Sequence, residues 1–240
     1  MSTYLHVIEE PAARPAETFD ETPRQDPPRI LRRGKPWNLQ QFAEEQIRGL
    51  VRQLFVMGVP RPVKHAVFCP VATYDCGSLC LRTAVALAIQ VTGSVALVAA
   101  ARPGERERKI VRRSKTGRND FASLREFSEQ LSTKLWHVPY ELFGAAPEQQ
   151  SGDWLEIMLK NLHLEFDYTI VNGPAAGQDM EAALLGRLSD GIVLVVEANS
   201  TRRAAAQIVK QNLRYSGARL LGTVLVERTF PVPEAIYQRL

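Results

Sequence analysis

The chain has 240 residues, of which 45% are hydrophobic and 23% are charged, and its formal net charge is +4. This is the composition of a globular protein with one sizeable core, and it excludes collagen-like, disulfide-rich and wholly disordered chains. No stretch approaches the roughly 18 consecutive apolar residues that cross a bilayer, and no secretory signal is visible. Three cysteines in a narrow window indicate reduced thiols. We therefore predict a single-domain cytoplasmic protein.

The first part of the chain has little that a core could bury. Residues 1–28 are acidic and rich in proline, which is typical of a disordered tail. A basic knot follows, formed by Arg29, Arg32, Arg33 and Lys35. Residues 1–37 are therefore predicted to be a tail, and apolar residues at helical spacing predict a lead-in helix at about 38–56.

Beyond the lead-in helix, short apolar runs alternate with longer amphipathic stretches. The runs predict strands at 65–71, 94–100, 135–139, 168–172, 191–197 and 220–226. The stretches between them predict helices at about 79–92, 120–133, 152–164, 178–188 and 201–215. Several runs are apolar on consecutive positions, as in strands that are covered on both faces. Residues 38–240 are therefore predicted to form an α/β domain, a doubly wound and mainly parallel sheet with helices on both faces.

A second basic segment, residues 102–118, follows the second predicted strand. Its candidate contact residues for an acidic protein or an anionic lipid are Arg106, Arg108, Lys109, Arg112 and Arg113. The alternative is a solvated loop without a partner. Because the segment lacks interleaved aromatic residues and any nucleic-acid-binding module, no nucleic-acid partner is expected.

The loop after the first predicted strand has the layout of a phosphate-binding loop but not its residues. In a working loop, glycine N–H groups wrap the phosphates, a lysine neutralises charge and a Ser or Thr holds magnesium. One register places Cys80 at the lysine position and Leu81 at the hydroxyl position, and the other places Ser78 and Leu79 there. Neither register supplies a cation, and neither places a hydroxyl at the magnesium position.

Three cysteines, Cys69, Cys76 and Cys80, lie in and beside this loop. Their spacings of seven and four are not those of a structural zinc site, so no metal is expected. The simplest interpretation is that they are small buried residues. The alternative for Cys76 or Cys80 is a low-pKa redox thiol at a helix N-terminus.

Several segments in the second half of the chain carry a resemblance to a known family. They are 166–174 (FDYTIVNGP), 185–199 (LGRLSDGIVLVVEAN), 201–203 (TRR), 221–226 (LGTVLV) and 228–240 (RTFPVPEAIYQRL). In order and spacing they resemble the bacterial tyrosine kinases (BY-kinases) of capsule and exopolysaccharide assembly, which are deviant P-loop proteins related to the MinD/ParA ATPases. The resemblance extends over about 65–240 and implies a P-loop NTPase-like fold.

The same resemblance implies catalytic positions that are degenerate in this chain. The vestigial nucleotide loop consists of Asp75, Cys76, Gly77, Ser78, Cys80, Leu81 and Arg82. The family's second motif has two aspartates, and the matching positions hold Ala99 and Ala101, followed by Arg102. Its third motif ends a strand with an aspartate, and the matching residues are Asn172, Gly173 and Pro174.

These replacements remove one cation and three carboxylates from a reaction that depends on electrostatic stabilisation. We therefore expect no catalytic residue and no cofactor, and a regulatory or scaffolding role in exopolysaccharide or capsule synthesis and export. The alternative is an active ATP-dependent tyrosine kinase or ATPase with a rebuilt phosphate site. That alternative requires magnesium and Arg82 or Arg102 in place of the lysine.

The resemblance also implies partners. They are the cytoplasmic part of a membrane polysaccharide co-polymerase, an active kinase, or further copies of this chain. The predicted location is the cytoplasm, with peripheral contact at the inner face of the cell membrane through the basic segments.

Overall fold

One eight-stranded sheet forms the centre of the molecule, and its six inner strands are parallel. The computed structural model describes residues 4–6, 39–58, 62–101, 123–140 and 154–228. The strands are β1 (Tyr4–His6), β2 (His65–Pro70), β3 (Val95–Ala99), β4 (Glu129–Ser132), β5 (Leu135–Val138), β6 (Tyr168–Asn172), β7 (Gly191–Glu197) and β8 (Leu220–Val226). Their order is β1-β8-β7-β2-β6-β3-β5-β4, and only the edge strands β1 and β4 run antiparallel to their neighbours.

Helices cover both faces of the sheet, as predicted. They are α1 (Leu39–Val51), which continues as a π-helix over Arg52–Val56, α2 (Gly77–Gln90), α3 (Leu124–Phe127), α4 (Trp154–Glu165), α5 (Met180–Leu188) and α6 (Arg203–Tyr215). One hydrophobic cluster joins the sheet to α1 and α2. The second cluster joins the opposite face to α3, α4, α5 and α6. The doubly wound α/β prediction is confirmed.

The inner strands are apolar throughout because both of their faces are buried. In β2, Ala66 and Phe68 point into the α1–α2 cluster, whereas Val67 and Cys69 point into the opposite cluster. All four side chains are inaccessible to solvent. Alternate residues of a strand face opposite sides, so a strand between two helical layers needs apolar side chains at every position.

The direction of winding reverses at β2. After β2 the chain passes through α2 to β3, beyond β6, and after β6 it passes through α5 to β7 on the other side of β2. The carboxyl ends of β2, β6 and β7 therefore meet at a topological switch point. In open α/β sheets, ligand sites lie at this position.

The prediction of a helix over 120–133 is wrong. The chain forms only the short helix α3 there, and then β4 pairs with β5 as an antiparallel hairpin. The Glu165 carboxylate, at the end of α4, accepts hydrogen bonds from Ser123 Oγ, Leu124 N and Arg125 N. Glu165 thus stabilises the start of α3 although it lies about 40 residues further along the chain. The local sequence alone does not determine where this helix begins.

Three residues at the N-terminus, within the predicted tail, form an edge strand. Tyr4, Leu5 and His6 pair with Leu225, Val224 and Thr223 of β8. The other predicted tail residues, including the basic knot, lie outside the described residues, as do the basic segment 102–118 and the C-terminal segment 229–240. Within the described part of the chain, no helix combines the length and the apolar character needed to cross a membrane.

Candidate functional site

The loop between β2 and α2 ends in a carboxylate at the N-terminus of the helix. Asp75 Oδ1 accepts a hydrogen bond of 2.8 Å from the backbone N–H of Gly77, the first residue of α2. The N–H groups at a helix N-terminus attract anions. In this chain the Asp75 side chain already supplies an anion there.

Asn172, the last residue of β6, reaches the same point. A Cβ atom built on Gly77 would lie 3.0 Å from Asp75 Oδ1 and 3.6 Å from Asn172 Nδ2. The backbone carbonyl oxygen of Asn172 accepts hydrogen bonds from Ala100 N and Ala101 N, at 3.0 and 2.8 Å. The structure thus brings the loop between β2 and α2, the end of β3 and the end of β6 together.

Gly173 allows the chain after β6 to pass close to β2. Its N–H donates to Phe68 O at 2.9 Å. A Cβ atom at this position would lie 2.7 Å from Cys69 Sγ and 2.8 Å from Val67 Cγ1, so a side chain does not fit without displacement. Pro174 follows and is half-buried. This close approach fixes the position of Asn172 beside α2.

Tyr74 links the same loop to the end of β8. Its hydroxyl group donates a hydrogen bond of 3.2 Å to Glu227 Oε1. Burial, and then the negative charges of Glu227 and Glu197, raise the pKa of Tyr74 above its usual range. The φ angle of Glu227 is 56°, in the left-handed region that non-glycine residues rarely adopt. Sequence reasoning missed this contact, because 153 residues separate its partners and no local pattern marks it.

Three carboxylates lie around this loop, and Arg228 lies near two of them, next to Glu227 in the chain and in one cavity lining with Glu197. Asp75 lies at the start of α2, and Glu197 and Glu227 act on Tyr74. Arg82, the replacement cation of the alternative hypothesis, lies five residues after Gly77, about 7.5 Å along the helix axis. Arg102 is outside the described residues. An anion at the N-terminus of α2 would therefore meet a carboxylate there, with Arg82 more than one turn away.

The residues that the two registers place at the lysine and hydroxyl positions differ in their exposure to solvent. Ser78 is exposed, and Leu81 is 41% exposed, whereas Cys80 is completely buried in the α1–α2 cluster. Because α2 begins at Gly77, Ser78 and Leu79 are the residues that follow directly on the loop. A lysine at position 80 would point into the core.

The three cysteines are free thiols and all are buried. Burial raises the pKa of Cys76 to about 12 and raises the pKa values of Cys69 and Cys80 as well. Cys69 belongs to a different cluster from Cys76 and Cys80. The described residues contain no group of three metal-ligating side chains. Raised pKa values argue against a reactive thiolate, so these cysteines behave as core residues.

A cavity of about 380 Å³ lies at the carboxyl ends of β7 and β8. Its lining consists of Val196, Glu197, Ala198, Asn199, Thr201, Leu225 and Arg228. The Thr201 hydroxyl accepts a hydrogen bond from Glu197 N at 3.0 Å, which closes the turn that leads into α6. Asn199, within this turn, has a positive φ angle of 63°.

Two histidines stack at the opposite, amino-terminal edge of the sheet. The ring centroids of His65 and His163 are 3.7 Å apart. His65 Nδ1 lies 3.2 Å from the hydroxyl of buried Thr169, and His163 Nε2 is buried without a partner among the described residues. Asp190 Oδ2 accepts hydrogen bonds from the N–H groups of Lys64 and His65.

Burial lowers the pKa of both histidines, and the pKa of His65 falls from 6.5 to about 4. His163 and Lys64 lower the pKa of His65 further, whereas Asp190 opposes the shift. As the pH falls, these histidines take up protons at a higher pH in the unfolded chain than in the folded chain. Their contribution to the free energy of unfolding should therefore be fully present above pH 6.5 and should be lost as the pH falls to about 4. After allowance for partial solvent exposure, we expect His65 to account for about 1–2 kcal/mol of this loss.

Urea unfolding of the wild type and of His65→Phe at pH 7, 5 and 4 measures this effect. The pH dependence should be weaker in the variant, whatever its stability at pH 7. Equal pH slopes for the two proteins would contradict the assignment to His65.

The parallel sheet, with a loop–helix junction at its switch point, has a P-loop NTPase-like fold. No family model matches the chain. It is 34% identical over 67 residues to the tyrosine-protein kinase CpsD of Streptococcus agalactiae. That match covers 28% of this chain and 28% of the kinase, so the comparison spans little more than a quarter of the relative's length.

Solved structures show the same fold at low sequence identity. The chimerical protein CapA2B2 has a TM-score of 0.60 at 17% identity, covering 76% of this chain and 84% of that one. The kinase domain of the Escherichia coli tyrosine kinase ETK has a TM-score of 0.57 at 17% identity, covering 80% and 79%. The MinC:MinD complex of Aquifex aeolicus reaches 0.52 at 16% identity, covering 67% of each chain. Together with the CpsD match, these structures confirm the resemblance to the bacterial tyrosine kinases and their MinD relatives.

Proposed function

We propose that this chain is a catalytically degenerate relative of the bacterial tyrosine kinases, with a regulatory or scaffolding role in capsule or exopolysaccharide synthesis and export. The observation that carries the proposal is the Asp75 carboxylate at the N-terminus of α2. A P-loop binds phosphate at the equivalent point with backbone N–H groups and a lysine.

Electrostatics support this proposal. Two like unit charges 4 Å apart repel by about 1 kcal/mol in water and by about 4 kcal/mol near a protein surface. A triphosphate at α2 would experience this repulsion from Asp75, and neither Ser78 nor Cys80 offers the missing cation. Asn172, Ala99 and Ala101 bring no charge that could hold magnesium. Binding and phosphoryl transfer would both lose their main sources of stabilisation.

The fold itself does not depend on these lost groups. The sheet and its two clusters are built from apolar residues, so the surfaces of the domain persist without nucleotide chemistry. We propose as partners the cytoplasmic part of a membrane polysaccharide co-polymerase, an active kinase or further copies of this chain, at the inner face of the cell membrane. The basic segment 102–118 is the proposed contact for an acidic protein or lipid surface.

Calorimetric titration of the full chain with ATP and ADP, with and without magnesium, tests the proposal. We expect no heat of binding and no shift in melting temperature at millimolar nucleotide. Magnesium-dependent binding at micromolar affinity, about −8 kcal/mol, would contradict the proposal. The alternative, an active kinase or ATPase that uses Arg82, would then be the better description.

The variant Asp75→Asn tests the carboxylate directly. Asparagine also caps helix N-termini, so the fold should be preserved while the negative charge is removed. We expect the affinity for inorganic pyrophosphate, measured by melting shift, to rise about tenfold, the equivalent of 1.4 kcal/mol. Glu156→Gln, on the exposed face of α4, removes a distant negative charge and is the control. Equal responses of the two variants would show that Asp75 does not exclude anions.

A further inference from the structure

The charged side chains on and beside α6 are all positive. Residues 198–226 contain no acid, and their cations are Arg202, Arg203, Lys210, Arg214 and Arg219. The four arginines are exposed and Lys210 is half-buried. None of these cations forms an ion pair with an acid in the described part of the chain. The folded domain therefore leaves the positive charge of this helix uncompensated.

Helical spacing arranges the solvent side of α6 in two rows. Residues three or four apart lie on the same side of a helix. The basic row consists of Arg203, Gln207, Lys210 and Arg214. The uncharged row beside it consists of Ala204, Ile208, Gln211 and Tyr215. Each row spans 11 residues, about 16 Å along the helix axis.

The uncharged row lies opposite the side of α6 that packs on the sheet. Val209 and Leu213 are the buried residues of this helix, and Gln211 is roughly 160° around the axis from both of them. In the same row Ile208 is 57% exposed and Tyr215 is 88% exposed. A surface helix normally presents charged and polar side chains on this side. The packing of the domain therefore does not account for the two large apolar side chains.

The two rows together match a lipid surface better than they match an acidic protein. Carboxylates of a protein would complement the basic row alone. An anionic bilayer complements both rows, because its headgroups attract Lys and Arg while its interface accepts aliphatic and aromatic side chains. A helix with a basic row beside exposed apolar residues is typical of contact with such an interface.

We propose that the solvent side of α6 binds the surface of an anionic lipid bilayer. The basic row contacts lipid phosphates, and Ile208 and Tyr215 enter the headgroup region. Arg202 and Arg219, just outside the two ends of the helix, extend the cationic contact. This surface is separate from the basic segment 102–118, and it rests on the proposed function only for the location at a membrane.

Cosedimentation of the full chain with vesicles tests the role of the basic row. The vesicles contain phosphatidylcholine and phosphatidylglycerol in equal amounts, and vesicles of phosphatidylcholine alone are the lipid control. Each Lys or Arg near an anionic surface raises the affinity about fivefold, so Arg203→Gln with Arg214→Gln should weaken binding about thirtyfold. Equal binding to the two kinds of vesicle would overturn the proposal.

A matched pair of substitutions separates α6 from the net charge of the chain. Arg48→Gln with Arg52→Gln removes the same charge from exposed positions on α1 and its π-helical continuation, which cover the other face of the sheet. We expect this pair to change the affinity by less than about threefold, since exposed charges far from the membrane are screened by salt. Equal losses from the two pairs would overturn the assignment to α6.

The variant Ile208→Ser with Tyr215→Ser tests the uncharged row. Both side chains are exposed, so the fold should persist, and the net charge is unchanged. We expect the affinity for the phosphatidylglycerol vesicles to fall about tenfold, because apolar side chains at the interface add to the electrostatic attraction. Unchanged affinity would show that these side chains do not enter the headgroup region and would overturn the proposed geometry.

A polarity-sensitive fluorophore on Gln211→Cys identifies what covers the helix. Its emission should shift to the blue when phosphatidylglycerol vesicles are added, whereas the same label on Gln90→Cys, at the end of α2 on the other face of the sheet, should not respond. The native cysteines are buried and are not labelled. A blue shift that grows with protein concentration without vesicles would assign the surface to a second copy and overturn the proposal. No shift with vesicles would overturn it as well, and neither result would alter the expected outcome of the nucleotide titration.

Discussion

Replacement of Gly191 by alanine is expected to lower the free energy of unfolding by about 2–4 kcal/mol. Gly191 begins β7, beside β2 at the centre of the sheet, and its φ angle is +146°. A Cβ atom there would lie 2.5 Å from the carbonyl oxygen of Arg219 and 2.9 Å from Leu221 Cγ. The clash involves backbone, so it cannot be relieved by a change of rotamer alone.

Gly222→Ala is the matched control for Gly191→Ala. Gly222 lies in the neighbouring strand β8, a Cβ atom there meets nothing within 4 Å, and its φ angle is not positive. We expect a change within about 0.5 kcal/mol for this variant. Denaturant unfolding of both variants measures the difference. Equal losses in the free energy of unfolding of the two variants would show that the close contact at Gly191 does not limit the packing of β7.

The second large effect is expected for Glu165→Ala. This substitution leaves Leu124 N, Arg125 N and Ser123 Oγ without their charged acceptor, at donor–acceptor distances of 2.8, 3.1 and 2.7 Å. We expect a loss of about 2–3 kcal/mol in the free energy of unfolding, because hydrogen bonds to charged groups are stronger than neutral ones.

The effect of Glu165→Ala should be concentrated at α3 and the hairpin that follows it. Hydrogen exchange should accelerate over 124–138 and remain unchanged in α2. Glu156→Ala, on the same helix α4, removes an exposed pair with Lys160 and is the control. A uniform increase in exchange along the chain would contradict a local role for Glu165.

The central strands could be predicted from the sequence because burial on both faces leaves continuous apolar runs. The predicted bounds 168–172, 191–197 and 220–226 are the bounds of β6, β7 and β8. The hairpin after α3 could not be predicted in this way. Its strand β4 is exposed at every position, so it has no apolar pattern, and α3 is capped by an acid from another element.

The candidate site was only partly predictable for the same reason. The sequence motifs predicted Asp75 and Asn172 as site residues, but as members of two separate motifs. Their approach to Gly77 depends on the pairing of β2 with β6 and on the close passage of Gly173. The hydrogen bond between Tyr74 and Glu227 depends on the lateral order of β2, β7 and β8. Strand order is a property of the whole sheet, which no local motif records.

The short strand at the β8 edge has a consequence for how the protein should be produced. Its partner β8 reads Leu-Leu-Gly-Thr-Val-Leu-Val, seven residues without charge or proline. Such a segment, when its edge is free, is a template for intermolecular pairing and amyloid-like aggregation. A version shortened to begin at the lead-in helix would lose Tyr4–His6 and expose this edge. Removal of a tail that looks dispensable would thereby reduce solubility.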